Sequence, residues 1–352
     1  MSSYRRHYLP SISWSDVKGG VRLIQPYSVT DYFLIFRVQN LLTSAFENDK
    51  RVLVRTGEKK PGKVGIVSGG GFGHLPLFLG YVGQGMLDAC VVGNVFASPS
   101  YTKMEAGIRA ADAGAGVLCL YGNYGGDKMN FRQAMEDCED LEDIRCAELL
   151  GTDDIASAPV DLADTRRGVA GIVYAYKIAG AAAEEMRSLD EVVCVTKKAL
   201  QNIRTMGVAL TPCVVPEVGK PTFSIEENEM EIGMGIHGEK GISKGKILTA
   251  DEVADMIIEK IDGELHLSSA GEVSVMVNGL GATSMEEQLI VYRRIAQIMK
   301  EKNVTIVAPH IGEFATSMEM TGLSVTVFVL DEELKKLLLA PANTPFYTNV
   351  NK

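Results

Sequence analysis

The stretch SGGGFGHLPLFLGYVGQGM occupies residues 68–86. An apolar run, KVGIVS (63–68), leads into it and reads as a buried strand of β-branched residues. The strand is predicted to give out at a glycine-rich turn, and His74 closes that turn. Outward from here the chain alternates. DACVVGNVFAS (88–98) and GVLCLYGN (116–123) read as strands, and YTKMEAGIRAADAG (101–114) and DKMNFRQAMEDCEDL (127–141) as helices. DIRCAELLG (143–151) supplies a further strand and GVAGIVYAYKIAGAAAEEM (168–186) a long apolar helix. Strands and helices alternating at these lengths predict a largely parallel sheet covered on both faces.

The second half has a different texture. SLDEVVCVTKKALQNI (188–203) reads as a helix, whereas three prolines break 206–225 into strands and turns. EMEIGMGIHG (229–238) alternates and stops at glycines. LTADEVADMIIEKI (248–261) starts at a Thr with acidic residues in its first turn, a helix N-terminus. EVSVMVNGLG (272–281), VTIVAP (304–309) and LSVTVFVL (323–330) read as strands, and 284–303 as an amphipathic helix. The expected class is α/β, with two α/β domains, 1–187 and 188–352, each a largely parallel or mixed sheet covered by helices.

Composition narrows the function. A chain of 352 residues can bury a sizeable core. A net charge of -10 with no basic stripe argues against nucleic-acid binding. No stretch of eighteen apolar residues suggests a membrane span, and the start, MSSYRRHYLPSISWSDVKGG, lacks a signal core. The six cysteines form no C-x-x-C pair and read as reduced thiols of a cytoplasmic protein. The Walker pattern, the G-x-G-x-x-G fingerprint, H-E-x-x-H and G-x-S-x-G are all missing, and the five histidines are too dispersed for a local zinc motif. No metal site is expected.

Three polar residues stand out. His74 follows Gly69, Gly70, Gly71 and Gly73, and His237 sits between Gly235 and Gly238. Glycines permit close approach of backbone to a ligand, and exposed amides there can donate to it. Each histidine could equally satisfy its own turn. Asp127 follows Gly125 and Gly126 at a strand end. It reads either as a helix N-cap or as an acid/base group at the carboxyl edge of a parallel sheet, where such folds bind ligands. A histidine and a carboxylate converging on one hydroxyl would make a general-base arrangement.

SGGGFGH, GYVGQGML, FASPS, NYGGDKMNF, RRGVAG, GKPTFSIEENEMEIGMGIHGE, VNGLGAT and TSMEMTG occur in that order between residues 68 and 322, within a likeness that runs from about residue 18 to about 345. In these motifs the chain resembles the substrate-binding subunit of dihydroxyacetone kinases. The resemblance implies that His237 attacks the ketone of a short hydroxyketone and holds it as a hemiaminal. It implies that His74 and Asp127 act on the hydroxyl to be phosphorylated, and that Gly70, Gly71 and Gly73 contact substrate through their backbone. No cofactor is expected on this chain. ADP or ATP with Mg would sit on a separate helical subunit, itself phosphorylated by a phosphotransferase-system protein, and the chain would form a homodimer. The alternative is a ligand-sensing coactivator that binds the ketone without phosphorylating it. The chain departs from the family where Phe72 replaces Ser, Leu75 replaces Glu and Gly122 replaces Lys. These changes remove polar groups near the expected substrate. They read as drift at backbone contacts or as a changed three- or four-carbon substrate. Arg166 and Arg167 read as salt-bridged residues at a helix start, with a phosphate or partner contact as the alternative, and His266 and His310 as structural.

Overall fold

A computed structural model describes residues 43–46, 49–215 and 218–350. Trp14, which the sequence leaves as loose or packed on a second copy, lies outside them. The first half contains β1 (Thr43–Phe46), β2 (Asp49–Arg55), β3 (Gly65–Phe72), β4 (Ala89–Val95), α1 (Tyr101–Ala111), β5 (Val117–Gly122), α2 (Gly125–Glu142), β6 (Cys146–Gly151) and α3 (Ile172–Glu184). Its six-stranded sheet has the order β1-β2-β4-β3-β5-β6. The pairings from β4 through β3 and β5 to β6 are parallel, and β1 and β2 extend the edge antiparallel.

Next come α4 (Leu189–Gln201), β7 (Ile203–Thr211), a ribbon of β8 (Val214–Val215) and β9 (Lys220–Pro221), β10 (Glu229–Ile232), β11 (Ser243–Lys246) and α5 (Ala250–Leu265). Then follow β12 (Glu272–Gly279), α6 (Met285–Glu301), β13 (Thr305–Ile306), β14 (His310–Gly312), β15 (Thr321–Leu330) and α7 (Glu332–Leu339). The second sheet runs β11-β10-β7-β15-β12-β13, with β14 also on β12. It is mixed and mostly antiparallel, with β12 parallel to β13 and β14.

Helix starts follow their side chains. Ser188, Thr249 and Ser284 each accept from the backbone N–H three residues on, and Glu191, Glu252 and Glu287 reciprocate. Such capping boxes satisfy two amides that the helix leaves unpaired.

The period-2 pattern sorts β3 between two layers. Ile66 faces a cluster with α3, while Val67 faces one with Met104, Ile108 and Phe131 of α1 and α2. Val273, Val275 and Val277 of β12 pack on Ile257, Ile258, Ile261 and Ile295 of α5 and α6. Met276 and Phe328 turn the opposite way, into the cluster that holds α3 and α7. The largest apolar layer therefore lies between the sheets. Burying a Val, Leu, Ile or Phe contributes about 1.5–3 kcal/mol, so this layer fixes one half against the other. α3 is buried from Ile172 to Ala183. It ties both sheets by hydroxyls as well: Tyr176 pairs with Ser68 of β3 at 2.7 Å and Tyr174 with Ser274 of β12 at 2.9 Å.

One expectation needs correcting. The stretch Gly69–Phe72 is strand, not turn: β3 continues through the glycines to Phe72. The glycines are there because neighbours leave no room for a side chain. A Cβ on Gly69 would lie 2.5 Å from the Val91 carbonyl oxygen, and one on Gly70 would lie 2.6 Å from the Phe78 ring. One on Gly71 would lie 2.7 Å from the Phe96 backbone. The strand VTIVAP is also shorter than read, reduced to Thr305–Ile306 before a break and β14.

Candidate active site

β3 ends at Phe72, and two residues later His74 is 2% exposed. Gly73 has φ +111°, and a Cβ there would lie 2.7 Å from the Phe96 ring, so only glycine fits this link. The second half grips the segment. The Met318 amide donates to the Gly73 carbonyl at 2.9 Å, and the Thr316 hydroxyl donates to the Leu75 carbonyl at 2.8 Å. The His74 ring itself lies 2.8 Å, through Nδ1, from the Thr316 carbonyl. A carbonyl only accepts, so Nδ1 carries the proton and Nε2 is a bare acceptor. Nε2 is buried and has no partner.

His237 arrives from the other sheet, past the end of β10. The turn closes on itself: Gly235 N–H donates to the Glu239 carbonyl at 3.2 Å and Gly238 N–H to the Gly235 carbonyl at 3.1 Å. The His237 ring meets three others edge-on: His74 at 4.6 Å, Tyr124 at 4.7 Å and Phe96 at 5.3 Å between centroids. Its side chain keeps 21% of its exposure, so it is accessible where His74 is sealed. Nδ1 donates to Glu239 Oε1 at 2.9 Å.

Asp127 lies in the first turn of α2, but it is not the N-cap; Tyr124 holds that position without a side-chain cap bond. The carboxyl is buried at 7% exposure, and its Oδ1 has no partner. Burial pushes its pKa up to about 6, against the opposing pull of the Ser98 hydrogen bond and the His237 ring. Burial and the neighbouring His237 push His74 the other way, down to about 3, so it is neutral at physiological pH. Burial alone would raise Glu239, yet the His237 ring and backbone amides bring it to about 2.

His74, His237 and Asp127 line one small space of about 20 Å³, together with Gly70, Gly71, Gly122 and Tyr124. Two other expected contacts, Phe72 and Gly73, do not line it. β3 carries a register irregularity between Gly70 and Phe72, and Phe72 enters the apolar layer between the sheets instead. Leu75 packs at the margin of that layer. Over Gly122 lies the Tyr124 ring, 2.9 Å from where a Cβ would be, and the Tyr124 hydroxyl donates to the Gly168 carbonyl at 3.1 Å. A lysine at 122 would have to displace that ring. A larger cleft, about 350 Å³, opens beside Arg55, Lys60 and Lys63, but it shares no lining residue with this site. These three cations are engaged by Asp88 and Glu184, and Lys59, which also lines the cleft, by the Arg109 and Asp112 carbonyls.

Sequence reasoning passed over Glu239, Phe96, Tyr124 and Thr316. Glu239 had a local signal, two residues after His237; Thr316 had none, being 242 positions from the ring it orients. Arg166 is paired with Glu264 at 2.7 Å and Arg167 with Asp154 at 2.8 Å, as ion pairs were expected. His266 ends α5 with φ +50°, and His310 is wedged by Tyr174 and Tyr347, so both are structural. All six cysteines are free, with Cys90, Cys119, Cys138 and Cys213 buried. Among the described residues no cluster of three metal-ligating side chains occurs, and no helix is long and apolar enough to cross a membrane.

Comparison with known proteins gives the chain a family. The Dak1 domain family model matches residues 37–346. The chain is 46% identical to a PTS-dependent dihydroxyacetone kinase 2, dihydroxyacetone-binding subunit DhaK, of Listeria innocua, over 86% of this chain and 90% of that one. It is 44% identical to an L-erythrulose kinase of Pectobacterium atrosepticum, over 84% of this chain and half of that one. Among solved structures, a dihydroxyacetone kinase operon co-activator, Dha-DhaQ, superposes with a TM-score of 0.85 at 28% identity, covering 92% of this chain and all of that one. From the histidine-bearing glycine motifs to both sheets, this chain belongs to the Dak1 domain family.

Proposed function

We propose that this chain is the substrate-binding subunit of a dihydroxyacetone-type kinase, a phosphotransferase with an alcohol group as acceptor. One observation carries the reading. Two unpartnered buried atoms, His74 Nε2 and Asp127 Oδ1, line the same small space as the accessible His237 ring. A short polyol ketone has little apolar surface, so burial alone binds it weakly. A reversible bond from His237 to the carbonyl carbon would hold it and reject glycerol. The hydroxyl to be phosphorylated then lies between His74 and Asp127. The hydroxyl has one proton to give, and Asp127, near 6, is better matched than His74, near 3, to take it at neutral pH. Phosphoryl transfer asks for little else but alignment and charge stabilisation.

The nucleotide, ADP or ATP with Mg, is assigned to a helical partner subunit recharged by a phosphotransferase-system protein. A cytoplasmic homodimer, each chain divided into two domains between residues 187 and 188, completes the proposal. The erythrulose kinase relative supports a second substrate, the four-carbon ketose. The deciding experiment mixes the protein with the ADP-loaded helical subunit, a phosphoryl source and either dihydroxyacetone or erythrulose, and follows the phosphorylated product. Faster turnover of one ketose names the substrate. Carbonyl-dependent binding with no turnover of either would replace the kinase reading with that of a ligand sensor.

A further inference from the structure

We infer that Glu239 is a positioning residue for the reaction: it locks His237 in the tautomer whose Nε2 is the nucleophile and offsets the charge that the ring acquires on attack. The inference rests on the reading of His237 as the ketone-binding residue.

The grip is two-handed. Glu239 Oε1 accepts from His237 Nδ1 at 2.9 Å, and Oε2 accepts from the His237 backbone N–H at 2.9 Å. One carboxylate thus fixes ring and main chain together. Gly235 makes room for it. A Cβ at 235 would lie 2.8 Å from the Glu239 carboxylate carbon and 2.6 Å from an Arg167 guanidinium nitrogen. Arg167 is itself held by Asp154 and by the Gly233 carbonyl, at 2.8 and 3.0 Å. A charged scaffold therefore stands behind the turn.

With Nδ1–H committed to a carboxylate, the lone pair of the neutral ring sits on Nε2. On attack the Nε2–carbon bond forms and the carbonyl π pair moves to oxygen. The oxygen takes up one proton and Nδ1 gives one up, so the adduct contains the atoms of ring and ketone and nothing else. While the ring is bonded to carbon and still protonated at Nδ1 it is cationic. An ionised carboxylate at Nδ1 stabilises that state. Glu239 stays ionised down to about pH 2, which suits the role.

The test uses the full chain, as wild type, Glu239→Gln and Glu239→Ala. Glutamine keeps the size, but its amide can accept from Nδ1 only by turning its NH₂ on the His237 backbone N–H. Imidazole ¹⁵N shifts read the His237 tautomer, assigned with His237→Ala, and calorimetry reads dihydroxyacetone binding. Expected are an Nδ1–H tautomer in wild type, loss of that preference in both variants, and ketone binding weaker by about 10–100-fold. Melting temperature should stay near wild type in Glu239→Gln. Ketone binding within twofold of wild type and an unchanged tautomer in Glu239→Gln overturn the inference while leaving His237 as the attacking residue. A wild-type protein with the Nδ1–H tautomer but no carbonyl-dependent binding breaks the reading of His237 itself, and this inference with it.

Discussion

His74 and His237 follow glycine-rich stretches of similar appearance, yet the protein builds two different imidazoles from them. His74 is sealed, stacked on Phe96 at 4.9 Å, and held through Nδ1 by a neutral carbonyl from the far half of the chain. His237 is accessible and held through Nδ1 by a carboxylate two residues away. Both rings present Nε2 for chemistry, but their surroundings price a positive charge differently. Burial and the neighbouring His237 keep the first neutral against the opposing pull of the Thr316 carbonyl and Glu239, whereas the second has a carboxylate in direct contact with its ring. The partner of the distal nitrogen, rather than the glycine pattern, separates an acceptor from a nucleophile.

The sharpest way to break this contrast is His237→Ala. It should abolish carbonyl-dependent binding in calorimetry and lower kcat/KM at least about 10³-fold. A retained adduct would show that another group attacks. Asp127→Asn comes next, with kcat expected to fall about 10²–10⁴-fold while ketone binding persists. Its pH profile adds a sign. Asp127 is protonated below about 6, so the wild-type rate should rise as pH passes through that value, and the variant should lose this limb. His74→Ala should leave the adduct intact and slow transfer less, about 10–100-fold, because a ring held near 3 is a weak base. A larger loss for His74→Ala than for Asp127→Asn would exchange their roles. The smallest effect on chemistry belongs to Gly69→Ala. Crowding the Val91 carbonyl should cost about 1–3 kcal/mol in denaturant unfolding while ketone binding stays near wild type.

Much of this architecture was legible because its signals are local. Ser188 and Thr249 with glutamates three residues on mark helix starts, and the valines of β12 mark a strand at period 2. The glycines of 69–71 misled because glycine usually signals a turn. Here it signals a strand crowded by its neighbours, and crowding is a property of the packed state. The three site residues could be named from motif resemblance, and His74 and Asp127 could be set on one sheet edge, but how the second half closes on them could not be seen. It depends on Gly73 to Met318 and Leu75 to Thr316 bonds between segments more than 240 residues apart. Phe72 was drawn toward the substrate for want of the irregularity that turns it into the core.

The Thr316 carbonyl bears on how such a molecule can be taken apart. In a first half separated from the second, no Thr316 carbonyl would dictate which nitrogen of the His74 imidazole holds hydrogen. Recombining halves from divergent relatives would meet the same obstacle. The segment around 314–318 must be inherited with the histidine it serves, so the heritable unit of this site is a seam between sheets and not either sheet alone.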